Sequence, residues 1–407
     1  MKQKNLKLLF SLPVIVASLG YFVDIYDLLL FSIVRKASLS FLGVPDAQLL
    51  EQGEYLLRMQ MAGLLFGGII WGVMGDKKGR LSVLFGSILL YSLANIANGF
   101  ATTVDQYAWL RLIAGIGLAG ELGAGVTLVS ETLPTNLRGY ATAIIASVGL
   151  MGAVLANFVS KIFDWQVAYF IGGGLGLMLL VARISVFESG IFLKTMEKKV
   201  QRGNFFQLFQ KRSRLKKFLG CIFIGLPIWF VIGILITFSP EFAVELNIIG
   251  KIIAGDAVMF AYIGLAMGDL IRGFVSQILR SRKKIVALYV SLTFVFILAY
   301  LFNPFKSLNA FYLSCFCLGL GIGYWALFVT IAAEQFGTNL RSTVTTSVPN
   351  IIRGSVIPIT FIFKYLRGEL GVIQGALLIG IATIIIAFIA LRAVDETFGK
   401  DLNFEEE

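Results

Sequence analysis

Asp24 and Asp27 stand three residues apart inside a long apolar run near the start of the chain, with Tyr26 between them. In a helix that spacing puts both carboxyls on one face. Arg111, Glu121 and Arg353 are likewise embedded in apolar runs. A charge near a bilayer centre costs roughly 2.5–3.5 kcal/mol on insertion scales, so such residues face a cavity or a partner and carry function. Arginine and carboxylate together can move a proton. The guanidinium stays charged and supports a nearby ionised carboxylate. When substrate or a conformational change draws it away, the desolvated carboxyl takes up a proton. Two acids sharing one arginine titrate as a coupled set. Arg353 has no acid in its own run, so its planar fork invites a carboxylate or phosphate of a substrate. The competing reading pairs it with Asp256 or Asp269.

Composition says what must position these groups. Of 407 residues, 57% are apolar and 14% charged, far from a soluble domain's ~45–50% and ~25%. A spanning helix needs ~20 apolar residues, so twelve would use ~240. Apolar stretches fall at 9–34, 56–75, 81–100, 106–130, 139–160, 166–187, 218–240, 252–274, 285–302, 308–333, 343–365 and 371–393. The first contains Asp24 and Asp27 and no small-residue cleavage site, so it reads as a permanent span rather than a signal peptide. There is no histidine, which excludes a Ser-His-Asp triad, an HExxH zinc site and histidine-ligated haem. Protons, if moved, ride on carboxylates. Cys221, Cys315 and Cys317 form no disulfide framework or metal spacing. No metal and no cofactor is expected, and no nucleophile–base constellation points to an enzyme.

Basic residues set the orientation. With the N-terminus cytoplasmic, twenty-three of the 35 Lys and Arg residues fall in cytoplasmic segments and seven outside; five lie within spans. Both termini are therefore expected in the cytoplasm, in a cytoplasmic (inner) membrane. The net charge of +11 reflects topology, not a nucleic-acid or other acidic partner. The halves also repeat. Glu131-Thr-Leu-Pro-Thr-Asn-Leu-Arg138 and Glu334-Gln-Phe-Gly-Thr-Asn-Leu-Arg341 match at five of eight positions, 203 residues apart. The expected organisation is a six-helix bundle over 1–188, a basic linker over 189–217, a second bundle over 218–393 and a tail over 394–407.

Several motifs are recognisable. Gly72-Val-Met-Gly75-Asp76-Lys77-Lys78-Gly79-Arg80 resembles the loop signature of the major facilitator superfamily. Arg111-Leu-Ile-Ala-Gly115-Ile-Gly117-Leu-Ala-Gly120-Glu121, continuing through Glu131 and Pro134 to Arg138-Gly139, resembles the fourth-span signature of its sugar porters and metabolite:proton symporters. The Gly120-Glu121 pair and Asp24-Ile-Tyr26-Asp27 resemble the second group more. Phe187-Glu188-Ser189-Gly190 and Asp395-Glu396-Thr397 resemble the motifs that close each half, with their first residues replaced. The second-half loop, Gly273 to Lys283, has no acid corresponding to Asp76. The fifth span lacks the Gly-Pro motif of drug antiporters.

The resemblance implies an all-α membrane protein of major facilitator fold. Its twelve helices form two pseudo-symmetric bundles that rock around a shared site. First and fourth helices line the cavity in this fold, and Asp27 and Arg111 fall at comparable depth. An Asp27–Arg111 pair therefore resembles the acid–arginine pair of related symporters; the alternative is a static ion pair. Glu121, about 15 Å deeper, is either a second proton site or a structural acid satisfied by an adjacent helix. The expected coupling set is Asp24, Asp27, Arg111 and Glu121. Expected substrate contacts are Tyr26, Asn157, Trp229, Tyr324, Trp325 and Arg353. An inner gate is expected from Asp76, Arg80, Glu131, Arg138, Glu188, Glu334, Arg341 and Glu396, joined by Asp269 and Arg272. Arg58 is expected to pair with the first-helix acids or Glu54. The expected function is proton-coupled import of a small organic acid or zwitterion by a monomer. The alternatives are a sugar porter or an exporter of a metabolite or siderophore. The partners are then the small-molecule substrate, protons and the lipid bilayer.

Overall fold

A computed structural model describes residues 8–183, 203–400 and 404–406. Among them are twelve helices long and apolar enough to cross a bilayer. In the first half these are α1 Leu12–Phe41, α2 Glu51–Lys78, α3 Arg80–Asn98, α4 Val104–Thr132, α5 Leu137–Ile162 and α6 Trp165–Ala182. In the second they are α7 Arg212–Ile236, α8 Ala254–Ser276, α9 Arg282–Leu301, α10 Leu308–Gln335, α11 Arg341–Leu370 and α12 Val372–Leu391. One helix answers each apolar stretch. Helices suit a lipid setting because every interior backbone group is bonded within the segment. Their ends are marked locally. Thr103, Ser281 and Ser307 cap α4, α9 and α10 by accepting from the backbone N–H of Gln106, Lys284 and Ala310. Gly79 and Gly371, with φ of 101° and 85°, make the turns between α2 and α3 and between α11 and α12.

Burial sorts the helices. The most apolar stretches of α1, α4, α7 and α10 are 83–89% buried, whereas those of α3, α6, α9 and α12 are 39–50% buried. The first group forms the centre and the second the perimeter. Phe100, Trp109, Phe158, Met178, Ile278, Leu313, Phe361 and Ile389 are exposed, giving the lipid-facing surface an apolar cover. Close approach of helices within each half relies on glycine. A Cβ on Gly115 of α4 would overlap the Gln60 carbonyl of α2, and one on Gly319 of α10 would overlap that of Ala261 in α8.

Four spans are interrupted in pairs. α4 consists of helices Val104–Leu118 and Glu121–Thr132, and α10 of Leu308–Gly321 and Trp325–Gln335. α5 breaks at Met151 and α11 at Ser355. To within a residue these breaks recur at the repeat spacing. α7 carries Pro227 and then a π-helical stretch, Val231–Ile236, beside Trp229. Such widened turns often sit at functional sites. Residues 203–217 and 404–406 gather at one end of the bundle, the linker end. A cavity of about 670 Å³ opens at the other, the vestibule end.

Candidate functional site

Where the halves meet at mid-bundle lies a cavity of only about 10 Å³, lined by Tyr21, Leu150, Trp229, Tyr262, Trp325 and Arg353 among others. That is room for no more than about one water. Arg353 of α11 is buried between the rings of Trp229 and Trp325, 5.7 and 5.4 Å from their centroids. Its Nη1 donates to Asn350 Oδ1 at 3.0 Å, while Nε and Nη2 have no hydrogen-bond partner among the described residues. Asn350 in turn donates across the halves to the carbonyl of Ala119, at the break in α4, at 2.8 Å. The interruption of one half thus sets the position of the arginine in the other. Trp325 Nε1 donates to the Tyr21 hydroxyl at 2.6 Å, also across the halves. Arg353 pairs with neither acid proposed for it. Asp256 is held by Lys161 and Asn157, and Asp269 by Arg272 at 3.0 Å and the backbone N–H of Ala326.

Asp24 and Asp27 are fully buried; none of their carboxyl oxygens makes a hydrogen bond of ordinary geometry among the described residues, although the Asn95 side chain stands beside Asp27. Arg353 lies within electrostatic range of Asp24, and Arg111 within range of Asp27. The expected direct Asp27–Arg111 ion pair is not formed. Arg111 instead donates to Asn95 Oδ1 at 2.5 Å and to Asn98 Oδ1 at 3.3 Å, and sits 4.8 Å over the Tyr169 ring. Neutral amides of α3 hold two of its nitrogens without neutralising it, and Nη1 has no hydrogen-bond partner among the described residues. Glu121 is satisfied by Arg183, through bonds of 2.9 and 2.6 Å, and by Ser87.

The other expected substrate contacts divide. Trp229 and Trp325 line the central cavity. Tyr26 donates to the Ala168 carbonyl of α6, and Tyr324 to the Ile224 carbonyl of α7, so both hydroxyls serve helix contacts. Asn157 lies in the vestibule wall. Sequence reasoning misses Tyr21, Tyr262 and Arg183. Tyr21 shares a helix face with Asp24, one turn away, which is the signal that could have found it. Arg183, near the end of its span, carries no motif.

At the linker end the halves are joined. Asp76 of α2 accepts from the N–H groups of Ser342 and Thr343 and from the Thr343 hydroxyl, at 3.0, 2.8 and 2.7 Å. Glu131 Oε1 takes Arg80 of its own half at 2.9 Å and Arg341 of the other at 3.1 Å. Arg80 also reaches the Thr338 carbonyl. Arg138 donates to the Leu133 carbonyl. Other gate candidates act within the second half rather than between halves. Glu334 bonds Arg282 and Thr397, and Arg272 bonds Asp269. Glu396 accepts from Ser281 and from the first N–H groups of α9. Partial burial opposes ionisation of Glu396, but these donors outweigh it and hold its carboxyl below the usual range. Glu188 lies outside the described residues. Arg58 pairs with Glu54 at 3.6 Å.

A family model described as the major facilitator superfamily matches residues 9–360. The chain belongs to the major facilitator superfamily. It is an integral membrane transporter, not an enzyme. It is 25% identical over 365 residues to the sialic acid transporter NanX of Escherichia coli, covering 87% of each chain. To the 3-(3-hydroxy-phenyl)propionate transporter of Escherichia coli it is 26% identical over 318 residues, covering 76% of this chain and 77% of that one. Among solved structures it resembles the proton:xylose symporter XylE bound to 6-bromo-6-deoxy-D-glucose, with a TM-score of 0.78, 16% identity and 98% of both chains covered. That likeness shows the fold.

Proposed function

We propose that the protein is a proton-coupled symporter that imports a small organic carboxylate by alternating access. The observation that carries this reading is Arg353. It is a buried cation at the meeting of the halves, with two donor atoms unpartnered among the described residues and two indole rings beside it. A guanidinium in that state matches a carboxylate bidentately, and the rings suit the apolar body of a small acid. The named substrates of both relatives above, sialic acid and 3-(3-hydroxyphenyl)propionate, are carboxylates. A sugar would find few hydroxyl partners in a lining dominated by Trp229, Trp325, Leu150 and Ile232.

Coupling follows from the two buried acids. Substrate that engages Arg353 draws it from Asp24, and rearrangement around Arg111 does the same for Asp27. A desolvated carboxyl that loses its cation takes up a proton, so substrate and proton travel together. With the linker end cytoplasmic, as the basic residues suggest, the joined linker end and the open vestibule make this an outward-facing conformation with a contracted centre. The test has two stages. Thermal-shift screening of the purified protein against organic acids, amino acids and sugars should select carboxylates. Hits should then accumulate in proteoliposomes under an inward proton gradient. Arg353→Gln should lower affinity for the hit at least ~10-fold, the loss expected for one charged hydrogen-bonding partner. Stabilisation by neutral sugars alone would sink the reading.

A further inference from the structure

The centre has space for about one water, yet the vestibule end holds a cavity of about 670 Å³, inside the ~300–1,000 Å³ range of small-molecule sites. Both halves build it. α1 contributes Arg35, Lys36 and Phe41, α5 contributes Lys161, α6 opens with Trp165, and Lys251 precedes α8. Four basic side chains line it against one acid, Asp164. Two of the four are committed: Arg35 pairs with Glu241 at 3.6 Å and Lys161 with Asp256. Lys36 and Lys251 are exposed and make no ion pair among the described residues. The second observation is Trp165. It is 5% exposed, its ring packs on Phe41, Tyr107 and Tyr169, and its Nε1 has no hydrogen-bond partner among the described residues. Phe41 is 66% exposed, so apolar surface stands open beside the donors.

We propose that this vestibule is a second binding site, where an organic carboxylate docks before the central site opens to receive it. Lys36 and Lys251 attract the anion, Trp165 Nε1 donates to a carboxylate oxygen, and Phe41 covers the apolar body. The proposal rests on the carboxylate reading of the centre but uses different residues. Electrostatic capture of this kind raises arrival rates and fades with salt. It also explains how a transporter whose centre is contracted still presents a ligand-sized cavity to one side.

The experiment is equilibrium binding of 3-(3-hydroxyphenyl)propionate to the purified full-length protein, at about 10 mM salt and again at about 1 M, where the Debye length falls from about 30 to about 3 Å. The wild type should bind two equivalents, one of them salt-sensitive. The double variant Lys36→Gln/Lys251→Gln should lose the salt-sensitive equivalent. Trp165→Phe, which keeps the ring packing, should weaken that equivalent about tenfold. Arg353→Gln should keep it and lose the other. If the double variant retains both equivalents with unchanged salt dependence, the vestibule site is wrong and the central reading stands. A single wild-type equivalent abolished by Arg353→Gln likewise overturns the vestibule site and leaves the central reading standing. If Arg353→Gln retains both, the central reading fails instead. No saturable wild-type binding overturns both.

Discussion

Two buried carboxylates without hydrogen bonds of ordinary geometry among the described residues are the most telling groups in this protein. Asp24 faces the field of Arg353 and Asp27 that of Arg111, yet neither makes contact. An unpaired buried charge is costly, and a residue kept in that state is available for protonation chemistry. Asp27→Asn should therefore abolish pH-gradient-driven accumulation while substrate exchange survives, because the neutral amide mimics the proton-loaded acid. Accumulation of substrate by the variant would remove Asp27 from the coupling role. These acids are legible in the sequence because charge is rare in an apolar run. The partners of Arg111 are less so: Asn95 and Asn98 are neutral residues of another helix, and nothing in their local pattern points at it.

At the scale of elements, the broken helices carry the design. The break in α4 presents the Ala119 carbonyl to Asn350, which holds Arg353 by its Nη1. Asn350→Ala removes both bonds and the one Asn350 donates to the Thr346 carbonyl, each worth about 1 kcal/mol. It should lower the melting temperature and weaken binding of carboxylate ligands, with Arg353 still present. Unchanged ligand affinity in that variant would show that Arg353 needs no anchor. The twelve spans themselves follow from apolar length, since lipid demands a nearly uninterrupted stretch. The interruptions do not, because α4 and α10 break without proline, at positions where tertiary partners take over backbone groups.

For the whole molecule, function requires two arrangements of similar energy. In this one the linker end is joined by Asp76 to Ser342 and Thr343, and by Glu131 to Arg80 and Arg341. The second-half loop has no counterpart to Asp76, so the join is lopsided: both of these carboxylates, Asp76 and Glu131, come from the first half. Asp76→Asn should shift the population toward a state open at the linker end. With Cys221, Cys315 and Cys317 replaced, a cysteine at Thr345, whose hydroxyl now bonds Thr127 across the halves, should label faster with maleimide in the variant. Equal labelling rates would count against Asp76 as the latch.

Sequence alone determined the class, the number of spans, the repeat and the short roster of charges able to do chemistry. Those properties are set by transfer energies and by spacing along one helix, both of which are local. It did not determine who faces whom. On sequence, Arg353 is divided between a substrate and two acids, Glu121 between two roles, and Asp27 pairs with Arg111 directly. Tertiary structure assigned Asp256 to Lys161, Asp269 to Arg272 and Glu121 to Arg183, and kept the Asp24 and Asp27 carboxyls and two donor atoms of Arg353 without hydrogen bonds of ordinary geometry among the described residues. Electrostatic pairing depends on a few ångströms between atoms that, for Lys161–Asp256 and Arg183–Glu121, are 95 and 62 residues apart in sequence, and only the packing of helix against helix fixes those distances.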